Sequence, residues 1–270
     1  MHTIQTDISD DALVTAIRAT MCDFFRHVSI SNPVEYLENE RFTRWYTPLP
    51  HPWFNGVVCS TMPADGDAAF IDETINYFKS KKVDSFTWWM DPHLKRSDWE
   101  PLLSQSGFGF SDGTPGMAVD LDTLDESMQK TKGLEIRAVE DEESMRTWAH
   151  IFTAGYGLPL DWEKVICDTW LTLGLDFPIK NYLGYFDDEP VSTSTIFLGG
   201  GVAGIYDVAT LPEMRGKGLG AALTLHPLLE ARKAGYQIGV LQSSEMGFSV
   251  YKKLGFRHLC QIENFYLSLH

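Results

Sequence analysis

The alternation of apolar and polar residues divides the first half of the chain into short helices and strands. Apolar residues at helical spacing predict helices over residues 10–25, 67–81 and 97–106. Runs of aromatic and β-branched residues predict strands over 85–90 and 117–121. This mixture of helices and strands indicates an α/β (α+β) fold.

The second half of the chain shows the same mixture with a larger number of strands. Gly155, Tyr156 and Gly157 are expected to break the first of its helices. The helices are predicted at 141–154, 160–173, 219–234 and 245–254, and the strands at 134–139, 182–186, 191–198, 202–210, 237–241 and 263–269.

A common order of elements occurs in both halves: helix, strand, helix, a Gly-Phe pair, then a closing strand. The Gly-Phe pairs are Gly107-Phe108 and Gly255-Phe256. We therefore interpret the chain as a tandem of two similar domains, residues 1–122 and 134–270, joined by a polar linker at 123–133.

Composition and charge narrow the classes of function. The chain has 270 residues, of which 44% are hydrophobic and 22% charged, as is typical of a soluble globular protein. A net charge of −15 argues against a nucleic-acid partner, because such binding relies on neutralising phosphates. The negative charge is compatible with a cationic amine substrate, and equally with an ordinary acidic cytosolic protein.

Cysteine usage and the N-terminal residues indicate the compartment. The four cysteines have neither CxxC spacing nor a nearby His cluster, which favours buried thiols in a reducing compartment and no metal site. There is no basic and apolar signal segment, and no run of 18 apolar residues. We expect a cytoplasmic protein without a membrane partner.

Residues 207–223 carry the strongest functional signal. A predicted strand is followed by Pro212, a glycine-rich turn with Arg215 and Lys217, and an apolar helix. The first N–H groups of a helix lack internal partners, and the helix dipole favours negative charge there. The segment therefore predicts a phosphate-bearing ligand at residues 215–221.

The glycine spacing in this turn distinguishes between phosphate loops. It fits neither a Walker loop nor a G-x-G-x-x-G dinucleotide fingerprint. Arg215, Gly218 and Gly220 form Arg-x-x-Gly-x-Gly, which resembles the acetyl-CoA loop of the GNAT acyltransferases, the family related to the Gcn5 N-acetyltransferases.

A second motif follows at the spacing found in that family. Ser244, Tyr251 and the run Leu254-Gly255-Phe256 resemble a motif in which Asn usually takes the place of Ser244. The resemblance implies two GNAT-like domains, each with a mixed, largely antiparallel central sheet flanked by helices. The first copy lacks the loop, because Asp65 and Asp67 stand at the corresponding turn and would repel a pyrophosphate.

The resemblance implies acetyl-CoA as cosubstrate and assigns residues to it. The pantetheine arm would lie between the strand ending at 207–210 and the strand at 237–241, paired with backbone of Val208 and Thr210. An N–H of Val208 or Ala209 would polarise the thioester carbonyl. The pyrophosphate and remaining contacts would fall to Arg215, Gly216, Lys217, Gly218, Leu219, Gly220, Ala221 and Ser244.

Three residues are candidates for catalysis. Making an amine of pKa 10.4 neutral at pH 7 costs about 4.6 kcal/mol, so a general base is useful. Asp207 is the first candidate for it and Glu245 a weaker second, although alternation leaves open whether Asp207 faces the acceptor or solvent. Tyr251 matches the family tyrosine that protonates the leaving thiolate; the alternative is a tyrosine packed beside Phe256.

These residues predict an N-acyltransferase that moves acetyl from acetyl-CoA to a primary amine by direct attack. The alternative is a non-catalytic CoA-binding sensor or interaction module. The acceptor is a small-molecule amine or a protein amine, and the protein a monomer or homodimer. The resemblance suggests Tyr156, Trp162 and Trp170 as acceptor contacts, with both Trp residues in the core as the alternative.

Overall fold

A computed structural model describes residues 3–31, 33–49, 51–61, 67–129 and 131–270. The α-helices are α1 Asp10–Val28, α2 Asp67–Ser80, α3 Arg96–Gln105, α4 Glu142–Tyr156, α5 Glu163–Leu173, α6 Leu219–Lys233 and α7 Glu245–Lys253. The strands are β1 Glu35–Glu38, β2 Phe42–Tyr46, β3 Gly56–Cys59, β4 Ser85–Met90, β5 Gly109–Asp120, β6 Leu134–Ala138, β7 Ile179–Phe186, β8 Glu189–Gly199, β9 Val202–Thr210, β10 Ile238–Gln242 and β11 Arg257–Ser268. Short 3₁₀ helices lie at Pro52–Phe54, Leu121–Thr123, Glu126–Gln129, Leu160–Trp162 and Pro212–Met214.

The chain forms two compact units, each of which contains segments from both halves. The larger unit comprises Met1–Val28 and Pro115–Leu259, and the smaller unit comprises Ser29–Thr114 and Cys260–His270. The predicted fold class is confirmed, since each unit combines helices with a largely antiparallel sheet. None of the described helices is both long enough and apolar enough to cross a membrane.

The sheet of the larger unit is a meander extended by a crossover. Strands β6, β7, β8 and β9 pair antiparallel in chain order. Helix α6 then connects β9 to β10, and these two strands pair in parallel, as a helical crossover permits. The last strand, β5, pairs antiparallel with β10 over Gly116 to Asp120.

The core of the larger unit lies between this sheet and its helices. Helix α6 contributes Leu223, Leu225 and Leu228, which are fully buried against Tyr182 and neighbouring apolar side chains. Helix α1 contributes Phe24, whose ring stacks on Tyr206 at a centroid distance of 4.4 Å. The helix predicted at 10–25 therefore packs in the unit built mainly from the second half of the chain.

The smaller unit repeats the order of the larger one with fewer strands. Strands β1, β2 and β3 form an antiparallel meander. Strands β3 and β4 pair in parallel and are connected by the crossover helix α2, and β11 pairs antiparallel with β4. Its core is aromatic, with Phe78, Phe86, Trp88 and Trp99 almost completely buried.

The closing strands are exchanged between the two halves of the sequence. Strand β5 comes from the first half and pairs with β10 of the larger unit, while the end of β11 comes from the second half and pairs with β4 of the smaller unit. The division into domains at 1–122 and 134–270 stays a prediction, and the compact units are composed differently.

The predicted linker at 123–133 is folded onto helix α6. Its described part includes the 3₁₀ helix Glu126–Gln129. Arg232 of α6 pairs with Glu126, and its Nη1 donates to the carbonyl of Leu121 at 3.3 Å. The segment is thus part of the larger unit and makes specific contacts there.

Candidate active site

The site forms where strand β9 separates from β10. The parallel ladder joins Ala203, Gly204 and Ile205 to residues 239–241, and in the described chain it does not continue beyond Ile205. On its other edge β9 stays paired with β8 as far as Thr210. Residues 206–210 therefore present one edge of backbone N–H and C=O groups without a ladder partner, which is where an extended ligand can pair.

A β-bulge at Asp207 shapes this edge. Thr195 pairs with Tyr206 and Thr193 with Ala209, so Asp207 and Val208 together lie opposite one residue of β8. Asp207 has a φ of 52°, a conformation that Asp tolerates better than most residues. The Thr193 hydroxyl holds the bulge by donating to the Asp207 carbonyl at 2.8 Å.

The glycine-rich turn leads from β9 to an uncapped helix. Gly216 and Gly218 have φ angles of 79° and 81°, which favour glycine. Gly218 is the N-cap residue of α6, and no described side chain caps this helix. The first turn of α6 contains no acidic residue, so its N-terminal N–H groups suit an anion.

The helix start has room for a ligand on the side of Gly220. A Cβ added at Gly220 would have Val208 Cγ1 at 3.8 Å as its nearest described neighbour, and a Cβ at Gly216 would meet nothing within 4 Å. Leu219 and Ala221, which flank Gly220, are buried and fix the helix to the core.

The two basic side chains of the loop are held by the protein itself. Arg215 Nη2 donates to the carbonyl of Gly155 at 2.7 Å, and its Nε donates to the carbonyl of Thr210 at 3.2 Å. Arg215 thus connects the end of α4 to the end of β9. Lys217 lies 4.8 Å above the ring of Phe186. Both still contribute positive charge beside the helix start.

Helix α4 carries Tyr156 to the bulge. The predicted break at Gly155-Tyr156-Gly157 falls at the last of these residues: α4 runs through Tyr156, beyond the predicted end at 154, and ends at Gly157, whose φ is 68°. Gly155 permits close packing here, because an added Cβ would lie 2.9 Å from the Cβ of Ala209. Partial burial, with the nearby Asp207 and Tyr251, raises the pKa of Tyr156.

The carboxyl group of Asp207 lies in this cluster and is largely withdrawn from water. Its Oδ2 has no described hydrogen-bond partner. Burial raises the pKa of Asp207 to about 7, although the Thr195 hydroxyl opposes the increase. Asp207 also raises the pKa of Tyr206, for which burial is the main cause. Of the two orientations left open by the sequence, the structure therefore has the inward one.

Tyr251 of helix α7 completes the cluster. Burial raises its pKa to about 12, although the Thr224 hydroxyl opposes the increase, so the Tyr251 hydroxyl is protonated at neutral pH. Its ring also packs 5.9 Å from that of Phe256. Tyr251 thus packs beside Phe256 and also lies near Tyr156.

Three further candidates have contacts of their own. Ser244 caps α7, with its Oγ accepting from the N–H of Gly247 at 3.2 Å. Trp170 is buried and stacks on Trp148, 5.9 Å away, so it belongs to the core. Trp162 is only partly buried, at the end of a 3₁₀ helix.

The corresponding region of the smaller unit differs in two ways. Strand β3 stays paired with β4 to its last residue, Cys59, opposite Met90. Asp67, the first residue of α2, is buried and forms an ion pair with Arg41. The carboxylate of Asp67 thus occupies the N-terminus of α2, and strands β3 and β4 do not separate. Asp65, also predicted to repel phosphate, lies outside the described residues.

The sequence reasoning missed the residues that support the cluster. Thr195 and Asn181 lie on strands that carry no recognisable motif, and Phe24 comes from a helix far away in the chain. A run of small polar residues inside an otherwise apolar strand, Ser192-Thr193-Ser194-Thr195, was the available signal. No group of His, Cys, Asp or Glu side chains in the described part of the chain is arranged to hold a metal ion.

Comparison with solved structures identifies the fold. A GCN5-related N-acetyltransferase from Kribbella flavida superposes with a TM-score of 0.64 at 17% identity, covering 94% of this chain and 95% of that one. One from Sphaerobacter thermophilus gives 0.66 at 14% identity, covering 98% and 95%. A tandem GNAT protein from the clavulanic acid biosynthesis pathway gives 0.60 at 12% identity, covering 99% and 98%.

The fold is therefore that of the GNAT proteins, in the arrangement of a tandem member. Residues 201–259, which include the loop and the Tyr251 motif, match the family model of the acetyltransferase (GNAT) domain. The predicted resemblance to the GNAT family is confirmed by this match and by the fold. A search of curated proteins found no match.

Proposed function

We propose that the larger unit transfers an acetyl group from acetyl-CoA to a primary amine by direct attack. One observation carries the proposal: the unpaired edge of β9 is followed, after the loop at 211–218, by the uncapped N-terminus of α6. An extended arm bearing amides, followed by a pyrophosphate, matches these two features in order. The smaller unit offers neither feature in its described residues.

Residues of the loop would hold the cofactor. Backbone of Val208 and Thr210 would pair with the pantetheine amides, and an N–H of Val208 or Ala209 would stabilise the charge that develops on the thioester oxygen. The N–H groups of residues 216–221 would bind the pyrophosphate. The Ser244 Oγ already accepts a hydrogen bond as the cap of α7, so Ser244 would contact the cofactor through its hydroxyl proton or its backbone.

The cluster supplies the proton transfers. The amine nitrogen attacks the thioester carbon, the C–S bond breaks, and CoA leaves as a thiolate. Asp207 would accept the amine proton, and Tyr251 would donate its proton to the sulfur. A base with a pKa near 7 exists in comparable amounts of both forms at neutral pH, which suits general base catalysis.

A paired binding and turnover experiment tests the proposal. The purified protein is titrated with acetyl-CoA by calorimetry, and CoA release is followed over a panel of polyamines, amino acids, aminoglycosides and peptides. We expect one site per chain and turnover with at least one amine. Absence of acetyl-CoA binding would overturn the proposal.

The second candidate is a non-catalytic acetyl-CoA sensor. The engagement of Ser244 as a helix cap favours it, since the family's Asn contact is absent. Binding at one site without turnover on any amine of the panel is the result that this alternative predicts.

A further inference from the structure

The C-terminus of helix α4 is completed by a side chain from the glycine-rich loop. The last four carbonyl groups of an α-helix have no partner within the helix. In α4 the carbonyl of Ala154 accepts from the N–H of Gly157 at 3.1 Å, whereas the next carbonyl, that of Gly155, accepts from Arg215 Nη2 at 2.7 Å. The last turn of α4 contains no basic residue of its own, so Arg215 supplies the positive charge that a helix C-terminus favours.

The same guanidinium is also bound to the end of strand β9. Arg215 Nε donates to the carbonyl of Thr210, the last residue of β9, at 3.2 Å. The helix and the strand meet at this point, because a Cβ added at Gly155 would lie 2.9 Å from the Cβ of Ala209. A guanidinium is planar and its N–H groups point in fixed directions, so two such hydrogen bonds set the position of the helix end relative to the strand end.

This junction lies beside the position proposed for the acceptor. Tyr156 follows Gly155 in the chain and is 37% exposed. Ala209 is the residue at which β9 resumes its pairing with β8 after the bulge at Asp207. A displacement of the end of α4 would therefore move Tyr156 relative to the bulge.

The other basic side chain of the loop has different contacts. Lys217 lies 4.8 Å above the ring of Phe186, and its Nζ is 3.4 Å from the Sδ of Met214. Among the described residues it forms no hydrogen bond or ring contact with α4. Arg215 and Lys217 thus carry the same charge in the same loop, but only Arg215 joins the loop to α4.

We propose that Arg215 is a positioning residue for the acceptor side of the site. It holds the C-terminus of α4, and with it Tyr156, against the end of β9, and it contributes to acetyl-CoA binding through its charge alone. The inference rests on the proposed function for the presence of an amine beside Tyr156. The attachment of α4 by Arg215 does not depend on turnover.

Hydrogen exchange tests the attachment without any substrate. The amides of Gly157 and Leu158, which donate to carbonyls in the last turn of α4, are followed by NMR spectroscopy in the full chain. Arg215→Ala removes a charged donor from this turn, and we expect both amides to exchange about tenfold faster. Lys217→Ala removes the same charge from the loop and should leave their exchange unchanged.

Binding and kinetics then separate the charge of Arg215 from its geometry. Calorimetry with acetyl-CoA should give Arg215→Ala and Lys217→Ala a similar increase in Kd, since each loses one positive charge. With an active amine, Arg215→Ala should raise the KM for the amine about tenfold, and Lys217→Ala should not. Arg215→Lys keeps the charge without the planar fork, so it should bind acetyl-CoA as wild type does while the two amides still exchange faster.

Wild-type exchange at both amides in folded Arg215→Ala overturns the proposal. A loss of acetyl-CoA affinity that is tenfold greater in Arg215→Ala than in Lys217→Ala also overturns it, because Arg215 would then contact the pyrophosphate directly. Faster exchange in a protein that acetylates no amine would support the attachment of α4 and count against the proposed function alone.

Discussion

The substitution Gly220→Val separates ligand binding from folding at the helix start. Gly220 lies in the first turn of α6, and the nearest described neighbour of an added Cβ would be Val208 Cγ1, at 3.8 Å. Valine is favoured over glycine in a helix by a few tenths of a kcal/mol, so we expect little change in the free energy of unfolding. Any loss of function then comes from the space that the side chain takes from the ligand.

The magnitude follows from the N–H groups that the side chain would cover. A hydrogen bond to a charged group contributes about 1.5–3 kcal/mol. Displacing the pyrophosphate from one or two N–H groups should cost about 2–4 kcal/mol, which is about a 30- to 700-fold increase in the Kd for acetyl-CoA. Gly220→Ala adds only the Cβ and should fall between wild type and Gly220→Val.

Calorimetry of the three proteins with acetyl-CoA, beside urea unfolding of each, measures both quantities. Unchanged affinity in a Gly220→Val protein would refute the placement of the pyrophosphate. Lost affinity together with a large fall in stability would refute the claim that the site has free space.

Three further predictions concern the cluster and the domain boundaries. Tyr251→Phe should bind acetyl-CoA normally and lose about 10²-fold or more in kcat by steady-state assay; full activity would remove Tyr251 from catalysis. Asp207 has a pKa of about 7 in the folded protein in place of 3.8, so the free energy of unfolding falls as the pH rises from about 4 to about 7 and stays lowered above that. The difference corresponds to about 4 kcal/mol, reduced to about 2 kcal/mol by partial access to water, so Asp207→Asn should exceed wild type in urea stability at pH 8 and match it at pH 4. A fragment of residues 134–270 lacks α1 and β5, and we expect its circular dichroism spectrum to be that of an unfolded chain. A folded fragment would show that the exchanged strand is dispensable.

The regular elements and the cofactor loop follow from local sequence. The strands at 85–90 and 202–210 have the predicted bounds, because alternation and turn residues define them within a few positions. The glycine turn also has the expected form, since positive φ angles at Gly216 and Gly218 depend on those residues alone.

Features that depend on distant partners could not be predicted. The bulge at Asp207 arises from the pairing of β9 with β8, and Arg215 finds its acceptor at Gly155, on another helix. Helix α4 continues beyond the predicted end at 154 and ends at Gly157, and within this stretch a Cβ at Gly155 would lie 2.9 Å from the Cβ of Ala209. Which of the two glycines ends the helix could not be decided from local propensity.

The exchange of β5 and β11 makes each compact unit depend on a strand from the other half of the sequence. Deleting the first half would remove β5, the strand that pairs with β10 in the unit that carries the glycine-rich loop. The order of synthesis adds a second consequence. Strands β1 to β4 are synthesised well before β11, the strand that completes their sheet. We expect β4 to keep an open edge until β11 has been made, which makes chaperone protection during translation valuable for this protein.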